Sequence, residues 1–178
     1  MMDQTNIDLL RSELERDEGR RTAPYQCSAG YWTVGVGWNL ETRGLPGGLK
    51  YYVSGRGGRT RTTPVNIGVY DAVRLAEAGF VLNRAEIDRL LDISIGDAIR
   101  DARAVLPGFD ELSGPRQRAF ANMAFNLGRQ RLARFVKMTA AAKRHDWCEV
   151  SRQMLDSKWA RQVGPRADRL AEMVLEDG

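Results

Sequence analysis

The stretch D-E-G-R-R-T-A-P-Y-Q-C-S-A-G-Y-W-T-V-G-V-G-W-N, residues 17–39, decides how this chain is interpreted. It begins with a carboxylic acid, Glu18, at the end of a predicted first helix over residues 5–18, for which Thr5 is the expected cap. Gly19 is expected to end that helix, because glycine readily adopts the left-handed conformation found there. A thiol and a hydroxyl, on Cys27 and Thr33, follow in a glycine-rich segment.

The glycine-rich segment predicts a small antiparallel sheet over residues 20–40, with a turn near residues 28–30. Residues 31–39 are expected to form one strand, in which Gly35 and Gly37 leave a face bare. Bare backbone in a strand favours a close approach by another group. An acid, a thiol and a hydroxyl beside such a strand indicate a hydrolytic site.

The spacing of these groups carries a resemblance to a known family. Eight residues separate Glu18 from Cys27, and five separate Cys27 from Thr33. The run resembles the phage-type lysozymes (endolysin muramidases, glycoside hydrolase family 24), whose pattern is E-G-x5-Y-x4-G-x2-T-x-G-x-G with Asp or Cys between Glu and Thr. The positions in register are Glu18, Gly19, Tyr25, Gly30, Thr33, Gly35 and Gly37. Residues 122–128 (N-M-A-F-N-L-G) and 157–169 are also similar to that family.

The resemblance implies an α+β, lysozyme-like and mainly helical fold in a single domain. A small sheet lobe with the catalytic residues, about 1–83, would be joined by a long helix, 84–105, to a helical lobe, 106–178. The sequence supports that helix, because Asn83 and Glu86 predict a capping box at its start.

Helix signals continue on both sides of the connecting helix. A short helix is predicted over Val69–Ala78, and Gly79 is its stop. Further helices are predicted after residues 113–115 with Gly128 as the stop, over residues 130–144, from a capping box at Asp146 to about Ser157, and from residues 164–165 onward.

The resemblance also implies roles for the residues of the motif. Glu18 would be the general acid that protonates the leaving oxygen of a glycosidic bond. Thr33 would orient a water molecule, and Cys27 stands where many relatives carry Asp. The alternative for Cys27 is an inert packed thiol, the commoner state of a free cysteine.

Other residues are candidates for binding the substrate or supporting the acid. Trp38, which follows Gly37, is expected either to pack in the core or to stack against a sugar ring. Arg166 matches an arginine that pairs with the catalytic Glu, so it is expected to hold Glu18 in place. The candidate substrate-binding residues are Gly37, Trp38, Phe125, Asn126 and Gln153.

Bulk composition excludes several classes of protein. The 178 residues are 43% hydrophobic and 28% charged, values of an ordinary globular domain, and the net charge of +4 favours an anionic partner. Cys27 and Cys148 lack zinc-ligand spacing and do not form a disulfide framework.

The sequence shows neither a signal peptide nor a membrane span, which predicts that the protein stays in the host cytoplasm until it is released. The resemblance implies release of the holin type and action on the cell wall in the periplasm. No metal or cofactor is expected.

Residues 42–64 are the main departure from the family. They are rich in Gly and Arg and predict a flexible basic loop or a loose hairpin, which either grips an acidic polymer or is merely solvated.

Three functions are compatible with these patterns. The first is an endolysin that hydrolyses the β-1,4 bond between N-acetylmuramic acid and N-acetylglucosamine and so lyses the host cell. The second is a glycan-binding module in which Cys27 has ended catalysis, and the third is a nucleic-acid binder using Arg56 to Arg61. We favour the first. We therefore expect peptidoglycan as the partner, no nucleic acid, no stable membrane insertion and a monomer.

Overall fold

The computed structural model describes residues 2–27, 29–53, 59–63 and 65–176, which form two compact units. One unit, here called the sheet unit, is Glu18–Ser94. The other, the helical unit, contains the described residues 2–17 and 95–176. Nine α-helices and two small antiparallel sheets lie in the described part of the chain, so the predicted α+β, mainly helical fold is confirmed.

The first sheet of the sheet unit has three strands, β1 (Arg21–Gln26), β2 (Trp32–Gly35) and β3 (Trp38–Asn39), in the order β1-β2-β3. Both pairs are antiparallel. The prediction of a single strand over residues 31–39 was wrong, because the chain reverses at Val36 and Gly37.

The two glycines of this reversal explain the difference. Gly35 and Gly37 have φ angles of 68° and 69°, in the left-handed region that other residues rarely adopt. A Cβ atom on Gly35 would also lie 3.4 Å from Cγ2 of Ile87. The glycines therefore permit a tight turn and a close helix contact within this unit.

The second sheet is a hairpin within residues 42–64, where the sequence predicted either a flexible basic loop or a loose hairpin. Strands β4 (Lys50–Val53) and β5 (Arg59–Thr62) pair in antiparallel register, with Tyr52 opposite Thr60. Residues 54–58, including Arg56, lie outside the described residues.

The sheet unit also contains the helices α2 (Leu40–Arg43) and α3 (Val69–Ala78). A third helix, α4 (Arg84–Val105), begins in this unit. The predictions for α3 and α4 are confirmed at both ends. Gly79 follows α3 with a φ of 78°, and Oδ1 of Asn83 accepts the Glu86 amide of α4 at 2.9 Å.

The helical unit begins with α1 (Gln4–Glu18), which buries Leu10 and Leu14 completely. The prediction that Thr5 caps this helix was wrong, because the helix begins at Gln4 and Thr5 lies inside it. Asp3 caps the helix instead, because its Oδ1 accepts the amide of Asn6 at 2.8 Å.

The remaining helices are α5 (Gly114–Leu132), α6 (Val136–Lys143), α7 (Trp147–Leu155), α8 (Lys158–Val163) and α9 (Pro165–Leu175). Gly128 bends α5, with φ 69° and ψ 163°, and the helix resumes beyond it. Residues 129–132 still belong to α5, so the helix predicted over residues 130–144 begins only at Val136. The cap of α7 is confirmed, since Asp146 Oδ1 accepts the Glu149 amide at 3.1 Å. No helix among the described residues is both long and apolar enough to cross a membrane.

Candidate active site

Glu18 is the last residue of α1 and the first of the sheet unit. Gly19 follows it with a φ of 73°, so the predicted glycine stop is confirmed. The Glu18 side chain is half-buried. The half-buried carboxyl group of Glu18 therefore lies where α1 ends, three residues before strand β1 begins at Arg21.

Cys27 lies in the connection between β1 and β2. Its amide donates to the Tyr31 carbonyl at 2.9 Å, and its carbonyl accepts the Gly30 amide at 2.8 Å. Gly30 has a φ of 83°, which suits the tight reversal at this point. The turn predicted near residues 28–30 is therefore present, although Ser28 itself lies outside the described residues.

Thr33 is brought to Cys27 by the pairing of β1 with β2. It is 4% exposed, and its hydroxyl lies 3.1 Å from the Tyr31 carbonyl oxygen, to which it can donate. The same side chain is among the groups that lower the pKa of the Cys27 thiol. Because a hydroxyl carries one proton, Thr33 donates to the carbonyl or to the sulfur but not to both at once.

The environment of Cys27 favours its ionised form. Partial burial raises the pKa of the thiol, but hydrogen bonds from the amides of Ala29 and Tyr31 and from the Thr33 side chain outweigh it. The net result is a pKa below the ordinary value of a thiol. Since the thiolate is the better proton acceptor, this microenvironment suits Cys27 for activating a water molecule.

Tyr25 on β1 lies opposite Thr33 on β2, and its phenol is sensitive to the charges around it. Burial raises the pKa of its phenol, the Arg21 guanidinium 4.4 Å from the ring centroid lowers it, and the charges of Glu18 and Cys27 raise it further. Both groups therefore act electrostatically on one phenol. The signals available in the sequence were the motif position of Tyr25 and its place in a strand two residues before Cys27.

Trp38 lies in the core of the sheet unit. It is 4% exposed, its Nε1 donates to the Gly44 carbonyl at 2.8 Å, and Cζ of Arg43 lies 3.8 Å from the ring centroid. Of the two alternatives given for this residue, the structure supports packing, and the predicted stacking on a sugar is not supported. Gly37 lies in the turn beside it.

Three further candidates lie in the helical unit. Phe125 and Asn126 are half-buried on α5, and Asn126 Oδ1 accepts the Nε1 proton of Trp159 at 3.0 Å. Gln153 donates to Glu149 at 2.9 Å and lines a pocket of about 450 Å³ beside Phe135. Their contact with a substrate stays a prediction.

Arg166 is 7% exposed and lies at the start of α9. Its Nε donates to Asn122 Oδ1 at 2.8 Å and lies 3.4 Å from Asp17 Oδ2. Its predicted pairing with Glu18 stays a prediction.

Comparison with known proteins assigns the chain to a family. The family model described as phage lysozyme matches residues 15–172, which is most of the chain. The chain belongs to the phage lysozyme family. This confirms the resemblance on which the roles of Glu18, Cys27 and Thr33 depend.

Individual relatives in this family are distant. The chain is 22% and 23% identical to the probable T4-type lysozymes 2 and 1 of Dictyostelium discoideum, covering 97% of this chain and 96% of each relative. It is 29% identical, over 91% of its length, to the pre-baseplate central spike protein Gp5 of Enterobacteria phage T4. The chain spans only 27% of that protein.

The chemistry available at this phage-lysozyme motif is proton transfer. Glu18 can donate a proton, and the Cys27 sulfur can accept one when ionised. Thr33 can hold a water molecule or polarise the sulfur. Such a set is suited to hydrolysis assisted by an acid and an acceptor.

Proposed function

We propose that the protein is an endolysin that hydrolyses the β-1,4 bond between N-acetylmuramic acid and N-acetylglucosamine in bacterial peptidoglycan. The observation that carries this proposal is the arrangement in the sheet unit, where Glu18 ends α1 just before β1, Cys27 follows β1, and Thr33 on β2 lies opposite Tyr25 on β1. Membership of the phage lysozyme family supports the same reaction class. The protein would act on the wall in the periplasm after release from the host cytoplasm.

The proposed reaction needs an acid and a group that serves the attacking water. Glu18 donates its proton to the glycosidic oxygen while the bond from that oxygen to the anomeric carbon breaks. Water adds to the anomeric carbon and gives its proton to the Cys27 thiolate. The pKa of Cys27 lies below the ordinary value of a thiol, which favours the thiolate that accepts this proton.

The test is a charge-removing substitution that preserves shape. Glu18→Gln removes the proton donor, so lysis of outer-membrane-permeabilised cells should fall at least ~10²-fold. Glu77→Gln is the matched control, because Glu77 is an exposed acid of the same unit near the C-terminal end of α3, and this variant should lyse normally.

Binding to purified peptidoglycan is measured on the same samples. Loss of lysis with retained binding by Glu18→Gln supports the proposal. Activity near that of the unmodified protein eliminates Glu18 as the acid. Peptidoglycan binding by the unmodified protein with no release of reducing sugar would favour the glycan-binding module instead.

A further inference from the structure

The hairpin of β4 and β5 has two chemically different faces. Tyr52 lies opposite Thr60, and Lys50 lies opposite Thr62, so these four side chains share one face of the hairpin. The alternate residues of both strands occupy the other face, and they are Tyr51, Val53, Arg59 and Arg61. The two arginines of β5 are therefore separated by the sheet from the ring of Tyr52.

A third segment of the chain extends the face that carries Tyr52. Tyr52 and Val81 exchange both of their backbone hydrogen bonds, at 2.9 and 2.8 Å, in an antiparallel bridge. Thr60, Tyr52 and Val81 therefore lie in one row across this face. The same antiparallel register brings Asn83 level with Lys50 in the next row. These five residues line a single shallow pocket of about 130 Å³.

The pocket combines an aromatic ring with polar groups at its edge. The Tyr52 side chain is 44% exposed. Beside it Thr60 supplies a hydroxyl, Lys50 an ammonium group and Asn83 a carboxamide, and all three side chains are exposed. The carboxamide is fixed in orientation, because its Oδ1 accepts a backbone amide of α4 at 2.9 Å. An apolar surface with a few hydrogen-bonding groups around it is typical of a site for a small ligand.

This composition favours a sugar ring over a phosphate polymer. A pyranose ring has an apolar C–H face that can lie on the Tyr52 ring, and its edge carries hydroxyl or acetamido groups that can bond to the polar side chains. A nucleic acid can also stack on tyrosine, but much of its affinity comes from several phosphate contacts with Lys and Arg. Of the described hairpin residues, Lys50 is the only cation on the face of Tyr52.

The pocket lies close to the strand that leads to Cys27. Val81 bonds to the hairpin, and the amide of the next residue, Leu82, donates to the Thr22 carbonyl of β1 at 2.9 Å. Neighbouring strands are about 4.8 Å apart, so β4 lies roughly 10 Å from β1 within the sheet unit. A polymer that binds along the sheet unit can therefore contact both places at once.

We propose that Lys50, Tyr52, Thr60, Val81 and Asn83, here called the hairpin pocket, bind one sugar ring of the glycan strand outside the bond that is cleaved. The Tyr52 ring stacks on the sugar, and the polar side chains bond to its substituents. This inference rests on the proposed function, because the ligand is part of the proposed substrate. The pocket contributes to affinity and not to the chemical step, since none of its residues belongs to the group around Glu18 and Cys27.

The first experiment measures binding without cleavage. In a Glu18→Gln background, calorimetry gives the dissociation constant for peptidoglycan glycan strands from which an amidase has removed the peptides. Tyr52→Thr removes the ring but keeps a residue suited to a strand, so the dissociation constant should rise about three- to tenfold, the usual effect of losing one aromatic contact. Tyr52→Phe keeps the ring and should bind nearly as tightly as the parent.

The matched control is Tyr70→Thr, because Tyr70 belongs to the same unit, is 74% exposed and lies on α3 outside the pocket. It should leave the dissociation constant unchanged. Equal weakening by both variants, or no effect of Tyr52→Thr, would overturn the proposal. If Tyr52→Thr melts early, Lys50→Gln/Thr60→Val replaces it, and loss of these two hydrogen-bonding groups should raise the dissociation constant about tenfold.

The second experiment uses a single-stranded oligodeoxythymidine as the probe. If Tyr52→Thr weakens binding of this oligonucleotide but not of the glycan, the proposal is overturned and the pocket takes a nucleic acid.

The hairpin pocket and the proposed hydrolysis can fail separately. Release of reducing sugar by the unmodified protein, with no effect of Tyr52→Thr on glycan binding or apparent KM, overturns only the hairpin pocket. Glycan binding that depends on Tyr52, with no release of reducing sugar, supports the pocket and overturns only the hydrolysis.

Discussion

At the scale of single residues, Cys27 differs from an ordinary free cysteine because the turn around it lowers the pKa of its thiol. The groups that lower this pKa include the backbone amides of Ala29 and Tyr31 and the Thr33 side chain. Amides of a tight turn cannot move away when the thiol ionises, so they favour the thiolate by preorganised geometry. The turn between β1 and β2 thus determines both where the thiol lies and how acidic it is.

Substitutions at Cys27 test whether this acceptor takes part in the reaction. Cys27→Ala removes every acceptor and should lose most lytic activity, whereas Cys27→Asp supplies a carboxylate and should retain a substantial fraction. Cys27→Ser keeps a neutral hydroxyl and should fall between them. The measurement is the initial rate of turbidity loss at matched concentration of folded protein. A Cys27→Ala variant that lyses at the normal rate would show that Cys27 only packs.

The pH dependence of alkylation tests the hydrogen bonds themselves. Because the pKa of Cys27 is lowered, its thiolate forms at a lower pH than that of free cysteine. In a Cys148→Ser background, the rate of reaction with iodoacetamide should therefore reach its midpoint at a lower pH than for free cysteine. Thr33→Val removes one donor and should move the midpoint up. A midpoint above that of free cysteine would show that burial raises the pKa of Cys27 by more than the hydrogen bonds lower it, and would contradict the prediction.

The same shift makes a contribution to stability whose sign is fixed. A folded-state pKa below the unfolded one means that the ionised thiol stabilises the fold above the unfolded pKa. That contribution is lost as the pH falls through the lowered folded value.

At the scale of secondary structure elements, glycines in helices have opposite effects at different positions. Gly128 in α5 has φ 69° and ψ 163°, a region that is essentially restricted to glycine. Gly96 in α4 has a helical backbone, and no atom lies within 4 Å of the place where its Cβ would be. One glycine is thus required by the bend of its helix, and the other is not.

This difference predicts stability changes of opposite sign. Gly128→Ala should destabilise the protein by about 1–3 kcal/mol, the usual effect of forcing a side chain into strained backbone. Gly96→Ala is the matched control and should stabilise it by about 0.5–1 kcal/mol. Urea denaturation followed by circular dichroism measures both. A neutral Gly128→Ala would show that α5 can straighten at this point.

At the scale of the whole molecule, residues 2–17 belong to the same compact unit as residues 95–176. Asp17, whose side chain is 1% exposed, lies 2.5 Å from Arg169 Nη2 and 3.4 Å from Arg166 Nε. Its Oδ2 also accepts from Asn122 at 3.1 Å. This buried carboxylate joins α1 to α5 and α9 within the helical unit.

Removing that carboxylate should therefore weaken the helical unit strongly. Asp17→Ala removes the carboxylate that Arg166 and Arg169 contact, and loss of one member of a buried pair costs about 3–5 kcal/mol. The control is Asp156→Ala, because its pair with Arg152 is exposed and should leave the melting temperature nearly unchanged. Similar melting temperatures for both variants would show that Asp17 is not needed to hold α1 in place.

The sequence by itself determined the features that depend on neighbouring residues. The caps Asn83 and Asp146 and the glycine stops Gly19 and Gly79 were predicted because their hydrogen bonds and dihedral angles involve residues at most four positions away. The family also followed from the sequence, since the spacing of Glu18, Cys27 and Thr33 lies within a single short motif.

Tertiary structure alone decided the features that depend on distant residues. The burial of Trp38 beneath Arg43 and the close approach of Gly35 to Ile87 require packing that periodicity does not contain. The partners of Asp17 lie 105 and 152 residues further along the chain, at Asn122 and Arg169. Charge and burial at such a site arise only when the helices assemble, because a buried carboxylate is stable only where distant cations and donors surround it.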